Sequence, residues 1–236
     1  YSHPALENNI WVNDAELRGK PGVDDDRNGY VDDVRGYNFV SKSPNVMDDH
    51  DHGSHVAGTI AANQPNDGFF GVAKAAKIMP IKTHTSHGIS SVIAAAKGIL
   101  YATDNGANVI NLSWSGHPEA GSYSQFMYEV LNYAGANGSL VVASAGNEGK
   151  NVDNTPTYPA SYDLPNLISV GAVNPGYDNL GGYSNYGINS VHVAAPGTLV
   201  YSADSKGGIT KMTGTSMAAP HVSGIAAILY QKYFTN

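Results

Sequence analysis

From residue 76 onward, short apolar runs alternate with helix-length segments, and this alternation limits the fold more than any other feature of the chain. "AKIMPIK" and "ANVINLS" read as short buried strands. Between them, "ISSVIAAAKGILYATDNG" has Ala-rich helical spacing and ends on Asn105-Gly106, a helix stop. A second helix is expected from about Tyr123 to Asn137. It is followed by the strand-like runs "SLVVASAG", "NLISVGAV" and "VHVAAPG", and by a final helix from about Ser216 to Phe234. Near-continuous apolar strands joined through helices need cover on both faces. The expected fold class is therefore α/β, three-layer, with a mostly parallel sheet and helices on both faces.

At 236 residues the chain is long enough to bury a sizeable core, and residues 1–236 are read as one domain. Only 14% of residues are charged while 42% are hydrophobic and 27 are Gly, which suits a loop-rich globule. A net charge of −7 without a Lys/Arg stripe argues against a nucleic-acid partner. The longest apolar runs, such as "GIAAILY", fall well short of the ~18 residues that span a bilayer, so no membrane span is expected. With no Cys, disulfides, thiolate catalysis and Cys-based zinc are excluded. The first residue is Tyr1 rather than Met, and no signal peptide is visible.

Four stretches carry chemistry. "DHGSHVAGT" (51 to 59) sets His52 at the start of a small-residue helix, and "NLSWSG" (111 to 116) ends a strand in polar residues. "ASAGNEG" (143 to 149) ends another strand with Asn147, and "GTSMAAPHVSG" (214 to 224) places Ser216 at the mouth of the last helix. In an open parallel sheet, ligands bind where the carboxyl ends of strands meet helix N-termini, so all four stretches would open onto one rim. Acyl transfer needs a nucleophile, a base, and donors aimed at the developing oxyanion. Ser216, His52 and Asn147 are one of each. A Ser at a helix N-terminus also presents its own N–H, which the helix does not use. Gly214, Ala218 and Ala219 leave room for a substrate backbone, and Pro220 is expected in the first helical turn. On its own stretch Ser216 is more readily a helix cap than a nucleophile, and "NLSWSG" can be a buried strand end. An α/β-hydrolase esterase is the other hydrolase to weigh. Its nucleophile elbow requires Gly-X-Ser-X-Gly, whereas residues 214 to 218 read "GTSMA".

Taken together, "HGSHVAGT", "NLSWSG", "SAGNEG" and "GTSMAAPHVSG" resemble the histidine, substrate-strand, oxyanion and serine motifs of the subtilisin family of serine proteases. They stand in that family's order, with comparable spacings, over nearly the whole chain. The resemblance implies a serine endopeptidase with His52 as general base, Ser216 as nucleophile and Asn147 as oxyanion donor, leaving His55 and His221 as packing residues. It also implies a peptide or protein substrate taken as an extended strand between two edges, Gly88, Ile89, Ser90 and Ser113, Trp114, Ser115, Gly116, with Ser144, Ala145 and Gly146 alongside. Ser115 stands where the family usually has Gly, which narrows the primary pocket. The pocket segments show no acidic residue, so uncharged side chains are expected before the cut bond.

The triad base needs a carboxylate on its far nitrogen. In the subtilisin family that Asp closes the first strand, a few residues before a His-Pro pair, and here the pair is His3-Pro4. The segment carrying the Asp is thus expected upstream of Tyr1 or on a separate N-terminal segment or propeptide. Asp48, Asp49 and Asp51 are the nearest substitutes, but Asp51 adjoins His52 and neighbouring side chains diverge. In subtilisin itself, loss of the Asp lowers turnover by about four orders of magnitude. The alternative reading is therefore a catalytically impaired protein that binds peptides without cutting them. In the family the missing strand lies inside the sheet, so its absence would leave unpaired edges and a slot in the core.

"DDDRNGYVDD" (24 to 33) resembles a calcium loop. Asp24, Asp26, Asn28, Asp32 and the carbonyl of Tyr30 are the expected ligands of a structural calcium ion. Arg35 occupies the position of the closing Glu, so a residue from elsewhere, or Asp33, must complete the shell. His50, His52 and His55 lack the spacing of a zinc helix. The family and the calcium loop together imply a secreted protein.

Overall fold

The computed structural model describes residues 1–115, 123–176 and 178–234. In chain order its first half holds α1 (Asp14–Arg18), β1 (Tyr37–Asn38), α2 (His52–Ala61), β2 (Asn63–Gln64), β3 (Phe69–Phe70), β4 (Ile81–Lys82), α3 (Val92–Asp104) and β5 (Val109–Leu112). There follow α4 (Gln125–Ala136), β6 (Leu140–Ser144), β7 (Leu167–Val173), β8 (Val193–Pro196), β9 (Val200–Ala203), β10 (Ile209–Met212) and α5 (Thr215–Phe234).

The helices form where the sequence supplies both a cap and an apolar stripe. Ser91 and Ser124 accept from the N–H groups of Ala94 and Met127 and so cap α3 and α4. Each helix ends two residues before a Gly with positive φ, with an Asn as C-cap between: Gly106 at +75° and Gly138 at +86°. Along α3, Ala95, Ile99 and Ala102 recur at helical spacing and pack against Met127, Leu131 and Ala134 of α4 and Ile110 and Leu112 of β5. Burying an Ile or Leu of this kind contributes roughly 1.5–3 kcal/mol.

Strands β5, β6, β7 and β8 pair in that order, all parallel. Val141 and Ala143 of β6 face the α3/α4 layer, while Val142 between them joins Val170, Ala172, Ala218 and Ala219 under α5. Both faces of the sheet are therefore buried, as the continuous apolar runs require. This is the three-layer α/β arrangement that the alternation predicts.

Two features depart from the sequence reading. "AKIMPIK" contributes only the two-residue β4, which pairs with β1 alone, and no ladder joins β4 to β5 among the described residues. Its one partner, β1, is itself two residues long, so the ladder gives β4 nothing further to pair with. Between β4 and β5 lies a cavity of about 1110 Å³ walled by Ile78, Ile81, Ile110 and Leu112, with His52 and Asp48 also on its lining. The antiparallel hairpin of β9 and β10 was not foreseen, because its residues alternate only weakly and its turn spans Asp204 to Gly208.

Candidate active site

Helix α5 begins at Thr215, one residue earlier than expected, which moves Pro220 out of the first turn and into the helix body. Proline has no N–H, so the carbonyl of Ser216, four residues back, is left without its helical donor. The hydroxyl of Ser113 fills that vacancy, donating to the Ser216 carbonyl at 2.8 Å. In return the Ser216 hydroxyl donates to the Ser113 carbonyl at 3.0 Å. Asn111 donates to Ser113 Oγ and accepts from Ser223 on the next turns of α5, both at 2.8 Å. A polar chain thus locks the carboxyl end of β5 to the start of α5 and fixes the Ser216 hydroxyl at its mouth. Asn111 and Ser223 were missed in the sequence, where nothing but the two-turn spacing of Ser223 from Ser216 hints at the link.

Asn147 follows β6. Its Oδ1 accepts from the N–H of Thr215 at 2.8 Å and from the Thr215 hydroxyl at 3.0 Å, so the amide cannot flip without losing both bonds. Its Nδ2 then lies 3.5 Å, its Oδ1, already engaged by Thr215, 3.6 Å, and the Ser216 nitrogen 3.7 Å from the point where Gly214 would carry a Cβ. Two N–H donors therefore border one small space that Gly214 keeps clear.

His52 opens α2, which packs against α5. Its ring lines the same cavity as Ser113 and Trp114, with its centroid 6.4 Å from that of His50. Burial lowers its pKa to about 4, with His50 and His84 adding to the effect and Asp48 opposing it. The three carboxylates near it in sequence are engaged elsewhere. Asp48 accepts from the N–H groups of His50 and Ser54, Asp49 pairs with Lys82 at 2.5 Å, and Asp51 accepts from Ser205. No hydrogen bond joins the His52 ring to any described residue. His55 is buried and bonds the Val200 carbonyl at 2.9 Å, away from His50 and His52.

The other expected substrate residues are placed as follows. Ser113, Trp114 and Ser115 line the cavity rim, and Trp114 lies 6.1 Å from the His84 ring; Gly116 falls outside the described residues. Gly88, Ile89 and Ser90 form an exposed turn, closed by Gly88 N–H to Thr85 O and Thr85 N–H to Ile89 O. Ser144, Ala145 and Gly146 are buried. The Ala145 N–H donates to Val170, the Ala145 carbonyl accepts from Asn185, and the Gly146 N–H donates to Thr215 Oγ1, so these residues form a floor with its main chain already paired. Beside that floor the sequence reading overlooked an acid, Glu148, whose carboxylate accepts from Asn185 at 2.6 Å.

In the acidic loop, Asp24 and Asp26 come together with Glu16, each offering a carboxylate oxygen within 4.8 Å of the others. Glu16 is on α1 and was not anticipated; it is buried and accepts from the N–H groups of Asp25, Asp26 and Asp32. Asn28 stays with the cluster, its N–H donating to both Asp24 and Asp26. Asp32 turns away, both its oxygens accepting from the Gly22 N–H at 3.0 Å. The Tyr30 N–H donates to Asn28 Oδ1, which brings its residue back over the loop.

Comparison with known proteins gives a consistent result. The profile described as Subtilase family matches residues 1–235. Subtilisin-like protease 1 of Plasmodium berghei (strain Anka) is 35% identical over 97% of this chain and 40% of its own length. The Thermophilic serine proteinase of Bacillus sp. (strain AK1) is 41% identical over 83% of this chain and 46% of its own. Subtilisin DY of Bacillus licheniformis is 41% identical over 86% and 71%. This chain thus spans less than half the length of the first two. A solved cold adapted subtilisin-like serine proteinase superposes with a TM-score of 0.74 at 31% identity, over 84% of this chain and 67% of that one.

Proposed function

The chain belongs to the subtilase family, and from that premise we propose that it is the peptidase unit of a serine endopeptidase, with Ser216 as nucleophile, His52 as general base and Asn147 in the oxyanion hole. The observation that carries this reading is the arrangement at the start of α5, where Asn147 Nδ2 and the Ser216 N–H border the space beside a Ser216 hydroxyl held by Ser113.

In this reading Ser216 Oγ attacks the scissile carbonyl while its proton passes to His52. The carbonyl oxygen becomes negative between the two donors. His52 then protonates the leaving amine, and a water deprotonated by His52 releases the acyl group and restores the serine. The peptide lies as an added strand against Ser113–Ser115, facing Gly88–Ser90 across the rim.

The imidazolium formed in each step needs a carboxylate beside it. An extended segment lying in the slot between β4 and β5, with a carboxylate at its end against His52, would supply one and would also pair both open strand edges. The apolar walls of the slot and the unbonded His52 ring support this. Without such a segment, the second reading applies, a protein that binds peptides as strands and cuts them feebly.

A calcium ion held by Asp24, Asp26, Glu16 and Asn28 would neutralise the clustered carboxylates and stiffen the loop. Such an ion, and the relative named Cell wall-associated protease of Bacillus subtilis (strain 168), favour export. No helix among the described residues is long and apolar enough to cross a membrane.

A fluorophosphonate probe tests the assignment on the protein from its natural source. Label on Ser216, lost in Ser216→Ala and strongly reduced in His52→Ala, is the expected outcome. An inert Ser216 in the intact protein would favour the peptide binder, and label at another serine would refute both readings.

A further inference from the structure

We propose that His55 is a positioning residue that must stay uncharged for α2 to hold His52 in place relative to Ser216. This rests on the roles given to those two residues above. The face of α2 toward β9 is fastened along three turns. At its start Asp51 accepts from the Ser205 N–H at 2.9 Å and from the Ser205 hydroxyl. One turn on, the Ser202 hydroxyl donates to the His55 carbonyl at 2.7 Å, and His55 Nε2 meets the Val200 carbonyl at 2.9 Å. A turn further, Gly58 lies so close that a Cβ there would stand 2.9 Å from that of Ala203.

Strand β9 is paired along its length with β10, and β10 leads through Gly214 into Ser216. Cross-links at the far end close the unit, from the Leu199 N–H to Thr213 Oγ1 and from the Gly214 N–H to the Gly197 carbonyl. The hairpin is therefore a second link, beside the direct packing of α2 on α5, between the helix that carries His52 and the helix that carries Ser216. His55 and Asp51 are the side chains that fasten the first of them to it, and of the two His55 is the one buried within the helix.

The chemistry of this contact requires a neutral ring. A carbonyl only accepts, so Nε2 must carry the proton, and Nδ1 is left with a lone pair. That Nδ1 is buried and has no partner. A second proton would place a cation without a counter-charge in a buried site, with the Thr210 carbonyl as the acceptor at hand for it. Facing it from α5 is His221, whose Nδ1 donates to the Met217 carbonyl. From the hairpin come the carbonyls of Val200 and Thr210, and no carboxylate of the described residues acts on it. Burial is the main cause that holds the His55 pKa below its ordinary value. His221 adds to it, and the two carbonyls oppose it.

Two variants and one direct measurement test this. His55→Gln keeps an N–H donor for Val200 and cannot gain a proton, whereas His55→Ala removes the donor. We expect the wild-type Tm to fall as pH drops below 6.5 and that of His55→Gln to fall less over the same range. In nitrogen-labelled wild-type protein, Nδ1 of His55 should remain unprotonated at pH values where exposed histidines are charged. Against a neutral peptide, His55→Ala should lower kcat with KM little changed and Gln should restore most of the loss. The acid limb of kcat/KM should be less steep in His55→Gln than in wild type. The proposal is overturned if His55 titrates like an exposed histidine in the folded protein, or if the Gln variant keeps the wild-type Tm profile. Absence of any hydrolysis by wild type would instead count against the peptidase reading, and the ring titration and the Tm profiles would still decide the role of His55.

Discussion

At the scale of single residues, the site depends on which end of Asn147 is free. Thr215 holds the amide oxygen with two donors, so the NH₂ end is presented beside Ser216 and cannot exchange places with it. In the proposed mechanism Asn147→Ala removes one of two oxyanion donors, and it also frees the Thr215 N–H and hydroxyl that Asn147 Oδ1 accepts. The expected loss in kcat is about a hundred- to thousandfold with KM nearly constant, a size established for the oxyanion amide of subtilisin itself. Steady-state kinetics checks it, and a variant that loses only in KM would place Asn147 in substrate binding. Ser216, His52 and Asn147 could be nominated from the sequence because each sits within a short motif of its own. The supporting chain of Ser223, Asn111 and Ser113 could not, since it exists only because Pro220 strips the Ser216 carbonyl of its helical donor. Glu16 was equally hidden. Three N–H groups of the acidic loop bind its carboxylate, but the loop and α1 are separate in sequence and no local pattern connects them.

At the scale of elements, β5 through β8 and the three long helices were legible because their signals are local: an apolar run, a Ser cap, a Gly stop. β4 was overestimated because the length of a strand depends on its neighbours, and β4 has only β1. The acidic loop is also an element whose stability lies outside its own sequence. Asp24, Asp26 and Glu16 repel one another unless a cation sits among them, so chelation should lower the Tm, and added calcium should restore it. Calorimetry with and without chelator reads this directly, and identical melting curves would contradict a structural ion. Replacement of Asp32, which faces Gly22, should alter the calcium response far less than replacement of Asp24.

At the scale of the whole molecule, the histidines set the response to acid. His52, His55, His84 and His221 all have pKa values held down, in each case chiefly by burial. A histidine with a depressed pKa in the folded state takes up its proton first on the unfolded chain. Stability is therefore complete above the unfolded value of 6.5 and declines as pH falls below it, down to about 4 where folded His52 also protonates. His52 alone accounts for roughly 3 kcal/mol of this loss. Thermal melts should be flat above pH 7 and drop steeply between 6.5 and 4, and a flat profile through that range would mean that these rings are not buried in solution. A carboxylate brought against His52 would raise its pKa and shrink the loss, so a filled slot should also broaden the pH range of the folded protein.

The slot and the catalytic centre can be seen together in a crystal structure of the phosphonylated protein from its natural source. We expect a phosphoryl oxygen within about 3 Å of both Asn147 Nδ2 and the Ser216 N–H. We also expect the His52 ring beside Ser216 Oγ, and an extended segment between β4 and β5 with its carboxylate on His52. Phosphonate on Ser216 with its oxygen turned away from Asn147, or His52 remote from that serine, would contradict the assignment of these three residues to one active centre.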